Sequence, residues 1–180
     1  MRGEWQAHGF AYEEEIISRF GMIKEENYVG EWDAYYNDIP VSIKTSKLGS
    51  EVGMADFFRN QRTKEDFYLI VGFWSGVKGN IVEEWFLKIP AKDWQALFLE
   101  GYDIKLKALL DGITNDRADD KRWTEETKAL KKEWRENTPN LIRPRFKRDH
   151  KAQKRIQCAI THKDFMEYFI PRYEVDCDEL

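Results

Sequence analysis

The run Asp66-Phe67-Tyr68-Leu69-Ile70-Val71-Gly72-Phe73-Trp74 is the most apolar stretch of the chain, and it constrains the fold more than any other feature. It is far shorter than the roughly 20 apolar residues that a membrane helix requires. Its aromatic and β-branched residues favour a strand, and its lack of alternation favours burial on both faces. A chain built around such a strand needs a sheet and layers to cover it. The next run, Ile81–Ile89 (IVEEWFLKI), is expected to pair with it as a hairpin across the glycine-containing connection 75–80.

The remaining elements are arranged around this hairpin. Phe10, Ile16, Ile17 and Phe20 recur at helical spacing over residues 8–22, and Gly21 suits a C-cap. Residues 27–37 and 39–44 read as two strands joined at Asn37-Asp38. A helix is predicted from about Glu51 to Gln61, with others after Pro90, over 103–112 and over 163–169. Residues 115–136 carry dense charge and few apolar anchors (Trp123, Leu130, Trp134), the pattern of an exposed helix or an ordered excursion. Residues 141–147 and 154–160 read as strands around a basic turn. The expected class is α/β: a mixed central sheet flanked by helices, in one domain spanning 1–180. Within it the core covers about 9–90, the charged insertion about 115–136 and the late hairpin about 141–160.

Several function classes are excluded at this stage. Neither a GxxxxGK[ST] nor a GxGxxG phosphate loop occurs, and HExxH and GxSxG are missing. His8, His150 and His162 lack metal-ligand spacing. Two cysteines make no disulfide framework, and the N-terminus shows no apolar signal core, so the expected compartment is the cytoplasm, with no membrane partner. The formal net charge of −4 conceals an asymmetry: Arg143, Arg145, Lys147, Arg148, Lys151, Lys154 and Arg155 face a single acid, Asp149, within residues 141–155. A basic segment on an acidic chain suits a polyanion, although a solvated hairpin also accounts for it.

The sharpest chemical signal lies in Gly30–Lys44. An acid, Asp33, sits in one strand, a turn follows, and Lys44 ends an alternating strand. Paired in a hairpin, a carboxylate and an ammonium at one edge can hold a hard divalent cation and stabilise charge on a phosphate. From spacing alone, an ordinary hairpin with a surface Asp and Lys explains the pattern. Taken in order, however, these residues resemble the PD-(D/E)xK nuclease superfamily, the restriction-endonuclease-like fold, in which an Asp on one strand precedes acid-x-Lys on the next. Gly9-Phe10-Ala11-Tyr12-Glu13 is similar to the Gly-x-x-x-Glu helix start of archaeal junction resolvases of that superfamily.

The resemblance implies a metal-dependent endodeoxyribonuclease using Mg²⁺, with Asp33, Lys44, Glu13 and Ser42 at the catalytic positions. Asp33 and Glu13 would be metal ligands. Ser42 stands where the family carries its middle acid, a departure that resembles a subgroup of type II restriction enzymes in which the following helix supplies the acid. Asp56, then Glu51, are the candidates here. The likeness implies double-stranded DNA as partner, a homodimer, and a reading hairpin formed by Arg143, Arg145, Lys147, Arg148, Lys151, Gln153, Lys154, Arg155 and Gln157. A junction-resolving or repair nuclease, or a nuclease-fold DNA-binding protein without catalysis, are the alternatives.

Overall fold

A computed structural model describes residues 4–25, 32–76, 79–112, 119–148 and 154–179. In chain order the elements are α1 (Glu4–Phe20), β1 (Ile23–Lys24), β2 (Ala34–Tyr36), β3 (Ile39–Lys47), β4 (Val52–Asp56), α2 (Phe57–Arg62), β5 (Phe67–Ser75), β6 (Asn80–Ile89), α3 (Ala91–Gln95), α4 (Tyr102–Gly112) and α5 (Asp119–Asn137). They are followed by β7 (Arg143–Arg148), β8 (Lys154–Ile160), α6 (His162–Asp164), a π-helical turn (Phe165–Phe169) and α7 (Ile170–Tyr173). The chain packs as two compact units. The first comprises Met1–Gly53, Lys64–Asp93 and Thr161–Leu180, and the second Met54–Thr63 and Trp94–Ile160.

The first unit is a five-stranded mixed sheet in the order β1-β2-β3-β5-β6, flanked by helices. β2 and β3 form the expected antiparallel hairpin, with Ala34 opposite Val41 and Tyr36 opposite Ile39. Its two-residue loop, Asn37-Asp38, has φ of 49° and 63°. Such left-handed pairs match strand twist, and Asn and Asp tolerate them. β5 is an interior strand: it runs parallel to β3 and antiparallel to β6. Phe67 through Phe73 are all buried, as the unbroken apolar run requires.

Alternate residues of β5 serve different layers. Tyr68 and Ile70 join Val41, Ile43 and Phe86 against Tyr12, Ile16 and Ile17 of α1. On the opposite face, Phe73 meets the Phe165 ring at 5.6 Å, and Leu87 bridges to Glu174 after α7. α1 ends at Phe20, where Gly21 takes φ 60° and Met22 N–H donates to the Ile17 carbonyl at 3.0 Å, a left-handed C-cap.

One contact fixes how α1 lies on the sheet. A Cβ at Gly72 would fall 2.6 Å from the Tyr12 ring, so only glycine lets that ring rest on β5. Tyr12 is itself 3% exposed, and the next residue is Glu13.

The second unit holds a three-stranded sheet, β4-β8-β7, and a dense aromatic cluster. Phe57 lies 5.4 Å from Trp134 and 5.4 Å from Phe98, and Tyr102 lies 4.8 Å from Trp134. Trp134 Nε1 donates to the Ile142 carbonyl at 2.6 Å and Trp94 Nε1 to the Asn60 carbonyl at 2.9 Å, so the indole N–H groups are satisfied within the core.

The single helix predicted over 51–61 is corrected by the structure. Its first half is strand β4, where Val52 and Met54 are buried and Gly53 is exposed. Ala55 adopts φ 61° at the strand's end, a conformation no helix interior accepts. Helix begins only at Phe57, capped by Asp56.

Candidate active site

The first unit brings Asp33 and Lys44 into direct contact. β2 is short. Asp33 N–H still bonds the Val41 carbonyl at 3.0 Å, but beyond that point the Asp33 side chain occupies the ladder position alongside β3. Its Oδ2 accepts from Ile43 N–H at 2.6 Å and from Lys44 Nζ at 2.7 Å. The Ser42 hydroxyl lies 3.4 Å away. Lys44 Nζ also donates to the Ile43 carbonyl at 3.0 Å. The pair is partly sheltered, the lysine side chain being 15% exposed and the aspartate 26%, so bulk water screens it incompletely.

Glu13 on α1 belongs to the same electrostatic neighbourhood. Its carboxyl is pushed above the ordinary value, first by burial and then by the negative charge of Asp33, while Lys24 and Lys44 pull the other way. The adjacent acids are turned to other partners: Glu14 pairs with Lys24, and Glu15 lies 4.0 Å from Arg19. Of the three consecutive glutamates, Glu13 alone is half-buried beside Asp33 and Lys44. Arg19 also holds Glu84 at 2.7 Å, and the buried Tyr12 hydroxyl lies in the field of Glu84. This network, not read from the sequence, anchors α1 on either side of Glu13.

The acids expected to replace the one missing at Ser42 are placed otherwise than predicted. Neither Asp56 nor Glu51 sits within a helix. Glu51 is an exposed residue before β4 whose carbonyl accepts from Ser46 Oγ at 2.7 Å. Asp56 belongs to the second unit, where its Oδ1 accepts from Arg59 N–H at 2.8 Å as the N-cap of α2.

As a cation site, the Glu13–Asp33 pair offers hard oxygen donors in its two carboxylates. Those suit Mg²⁺, and a divalent cation would offset the Asp33 repulsion that, after burial, raises Glu13. Among the described residues, the group of three acidic or sulfur ligands close enough to share one ion is instead Asp176, Cys177 and Asp178, all exposed. An exposed acidic cluster is common without a metal.

The expected DNA-reading residues lie in the second unit. β7 and β8 pair antiparallel with Arg143 opposite Ala159, Arg145 opposite Gln157, Lys147 opposite Arg155 and Arg148 opposite Lys154. Directly opposed residues share a face, so Arg143, Arg145, Lys147, Arg155 and Gln157 line one side, while Ile156 and Cys158 are buried on the other. Lys151 and Gln153 lie outside the described residues. Sequence reasoning missed four cations on α5: Lys128, Lys131, Lys132 and Arg135. Their i, i+3, i+4, i+7 spacing was the available signal.

Comparison with protein families, with curated proteins and with solved structures finds no match to this chain. No helix among the described residues is long and apolar enough to cross a membrane.

Proposed function

We propose that the chain is a metal-dependent DNA endonuclease of restriction-endonuclease-like fold, acting as a sequence-specific type II enzyme. The observation that carries the reading is the junction of Asp33, Lys44 and Glu13: a salt bridge of 2.7 Å at the edge of β3, with a second carboxyl in its field. The mixed sheet, with β3 of the β2–β3 hairpin as its middle strand, supports this reading.

Asp33 and Glu13 would hold Mg²⁺, which supplies charge neutralisation at the phosphate and a more acidic water. Lys44 contributes a fixed positive charge for the charge that develops on the phosphoryl oxygens, and a donor to orient the attacking water. Hydrolysis is direct: the water oxygen bonds to phosphorus as one P–O ester bond breaks, with no covalent enzyme intermediate. The basic β7–β8 face supplies phosphate contacts and, through Arg145 and Gln157, groups able to read base edges. A double-strand cut at a palindrome calls for two copies related by a two-fold axis.

Ser42 favours one second reading. It brings a hydroxyl, not a carboxylate, to the edge that Asp33 occupies, which suits a nuclease-fold protein that binds DNA without cutting it. Incubation of supercoiled plasmid with Mg²⁺ or with EDTA separates the two. A discrete set of fragments in Mg²⁺ alone supports the restriction enzyme. Cutting confined to four-way or flapped substrates points to a structure-specific nuclease, and DNA binding without cutting to the second reading.

A further inference from the structure

The second unit contains a cavity of about 450 Å³ between α5 and the start of β7. Six cationic side chains line it: Lys128, Lys131, Lys132 and Arg135 from the helix, and Arg143 and Arg145 from the strand. Among the described residues that line it there is no acid, although the chain carries 33 acids against 29 lysines and arginines. We propose that this α5–β7 cleft binds the phosphate backbone of duplex DNA and is the main source of the protein's DNA affinity. The choice of DNA as ligand rests on the endonuclease reading; the cleft's affinity for a phosphate backbone does not.

The local structure explains how so many like charges are held together. Lys128, Lys131, Lys132 and Arg135 recur at one helical stripe, about 10 Å long from first to last. Along one DNA strand that length spans roughly three phosphates. Trp134, fully buried, packs into the aromatic core and also lines the cleft, so the helix cannot rotate to disperse the stripe. Lys131 lies 5.5 Å from the Phe146 ring, which ties the helix to β7 through a cation–π contact. Glu133 of the same helix turn is engaged by Lys105, outside the cleft lining, while Glu136 lies 3.8 Å from Lys132 and offsets part of that one cation's charge. Arg143 and Arg145, two apart on β7, add forked donors that suit phosphate oxygens.

A phosphate backbone fits this cleft better than an acidic peptide does. The cleft runs onto the β7–β8 face, where Lys147, Arg155 and Gln157 extend the row beyond it. Such a graded surface, phosphate contacts first and base-reading groups next, is the division of labour found in DNA interfaces.

The test uses the full chain in EDTA, so that binding is measured without cleavage. A fluorescent duplex of about 20 base pairs is titrated by anisotropy from about 50 to about 300 mM salt. The probe variant is Lys128→Ala/Lys132→Ala/Arg135→Ala, all exposed positions. The charge-matched control is Lys64→Ala/Lys92→Ala/Lys163→Ala, exposed positions outside the cleft. Each lost phosphate contact should lower the slope of log affinity against log salt by about 0.9. The probe variant should therefore bind at least about 10-fold more weakly at the lowest salt, with a slope smaller by about 2 to 3, while the control stays within about two-fold of wild type. Equal losses in both variants, or none in the probe variant, overturn the proposal. So does a polyglutamate competitor that displaces the duplex as well as unlabelled DNA does at equal charge. The endonuclease reading fails separately: cleft-dependent binding with no cutting in Mg²⁺ refutes the hydrolase and leaves the cleft, whereas Lys44-dependent cutting with unchanged cleft-variant binding does the reverse.

Discussion

Gly72→Ala is a small substitution with a large expected consequence. Its new methyl group would sit 2.6, 2.8 and 3.0 Å from three atoms of the Tyr12 ring, where carbon atoms at rest stand about 3.5–4.0 Å apart. The ring cannot swing away freely, because Tyr12 is packed among Ile16, Ile43 and Ile70. Relief requires α1 to lift from β5 by about an ångström. Overpacking of this kind costs roughly 1–3 kcal/mol, partly offset by the 0.5–1 kcal/mol that alanine gains over glycine in a strand, about 0.5–2 kcal/mol net. At about 2–4 °C per kcal/mol for a chain of this size, the melting temperature should fall by about 1–8 °C. Since Glu13 rides on the same helix turn, the proposed nuclease activity should also fall. Differential scanning calorimetry on the single variant and on Gly72→Ala/Tyr12→Leu checks the mechanism. The pair should be less destabilised than the sum of its single changes, by about 1 kcal/mol. A Gly72→Ala protein that melts at or above wild type, or additive effects in the pair, would refute the packing argument.

Other outcomes follow from individual contacts. The raised Glu13 carboxyl means that the folded state holds its proton to higher pH than the unfolded chain does. Stability contributed by that proton is present at low pH and is lost as pH rises through the folded value; metal-free Glu13→Gln should therefore melt higher than wild type at about pH 7 and match it near pH 4, read by thermal scans in EDTA. Asp56→Ala should lose about 0.5–2 kcal/mol by removing the α2 cap, whereas Asp56→Asn, still a capping residue, should unfold at nearly the wild-type urea concentration. Sedimentation on cognate duplex should count two protomers per site; one protomer contradicts the two-fold arrangement.

Much of the first unit is legible in the residues. The buried run at β5, the Asn37-Asp38 turn and the Asp33 to Lys44 spacing each reflect local chemistry, and local chemistry is what a sequence displays. β4 escapes such a reading because its pairing partner, β8, lies about a hundred residues further on; nothing within 51–61 announces that partner, and Gln61 and Arg62 do favour a helix. The strand's own alternation, buried Val52 and Met54 around exposed Gly53, spans too few residues to outweigh them. The place of Asp56, a cap and not a residue inside the helix, is hidden for the same reason. The α5 stripe is visible as spacing, but its meaning depends on β7 lying beside it, a tertiary fact. That Glu13 and not Glu14 or Glu15 approaches Asp33 likewise depends on how the buried face of α1 (Tyr12, Ile16, Ile17) seats on the sheet, a seat that Gly72 leaves room for.

The central claim, that Asp33, Lys44 and Glu13 form a hydrolytic site, is tested most directly by plasmid cleavage with purified wild type, Asp33→Asn and Lys44→Ala, each in Mg²⁺ and in EDTA, alongside duplex binding in EDTA. Wild type should cut in Mg²⁺ alone, and both variants should lose at least about 100-fold in rate, with Lys44→Ala binding the duplex within a few-fold of wild type. Cutting by Lys44→Ala or Asp33→Asn at the wild-type rate, or cutting that persists in EDTA, contradicts it.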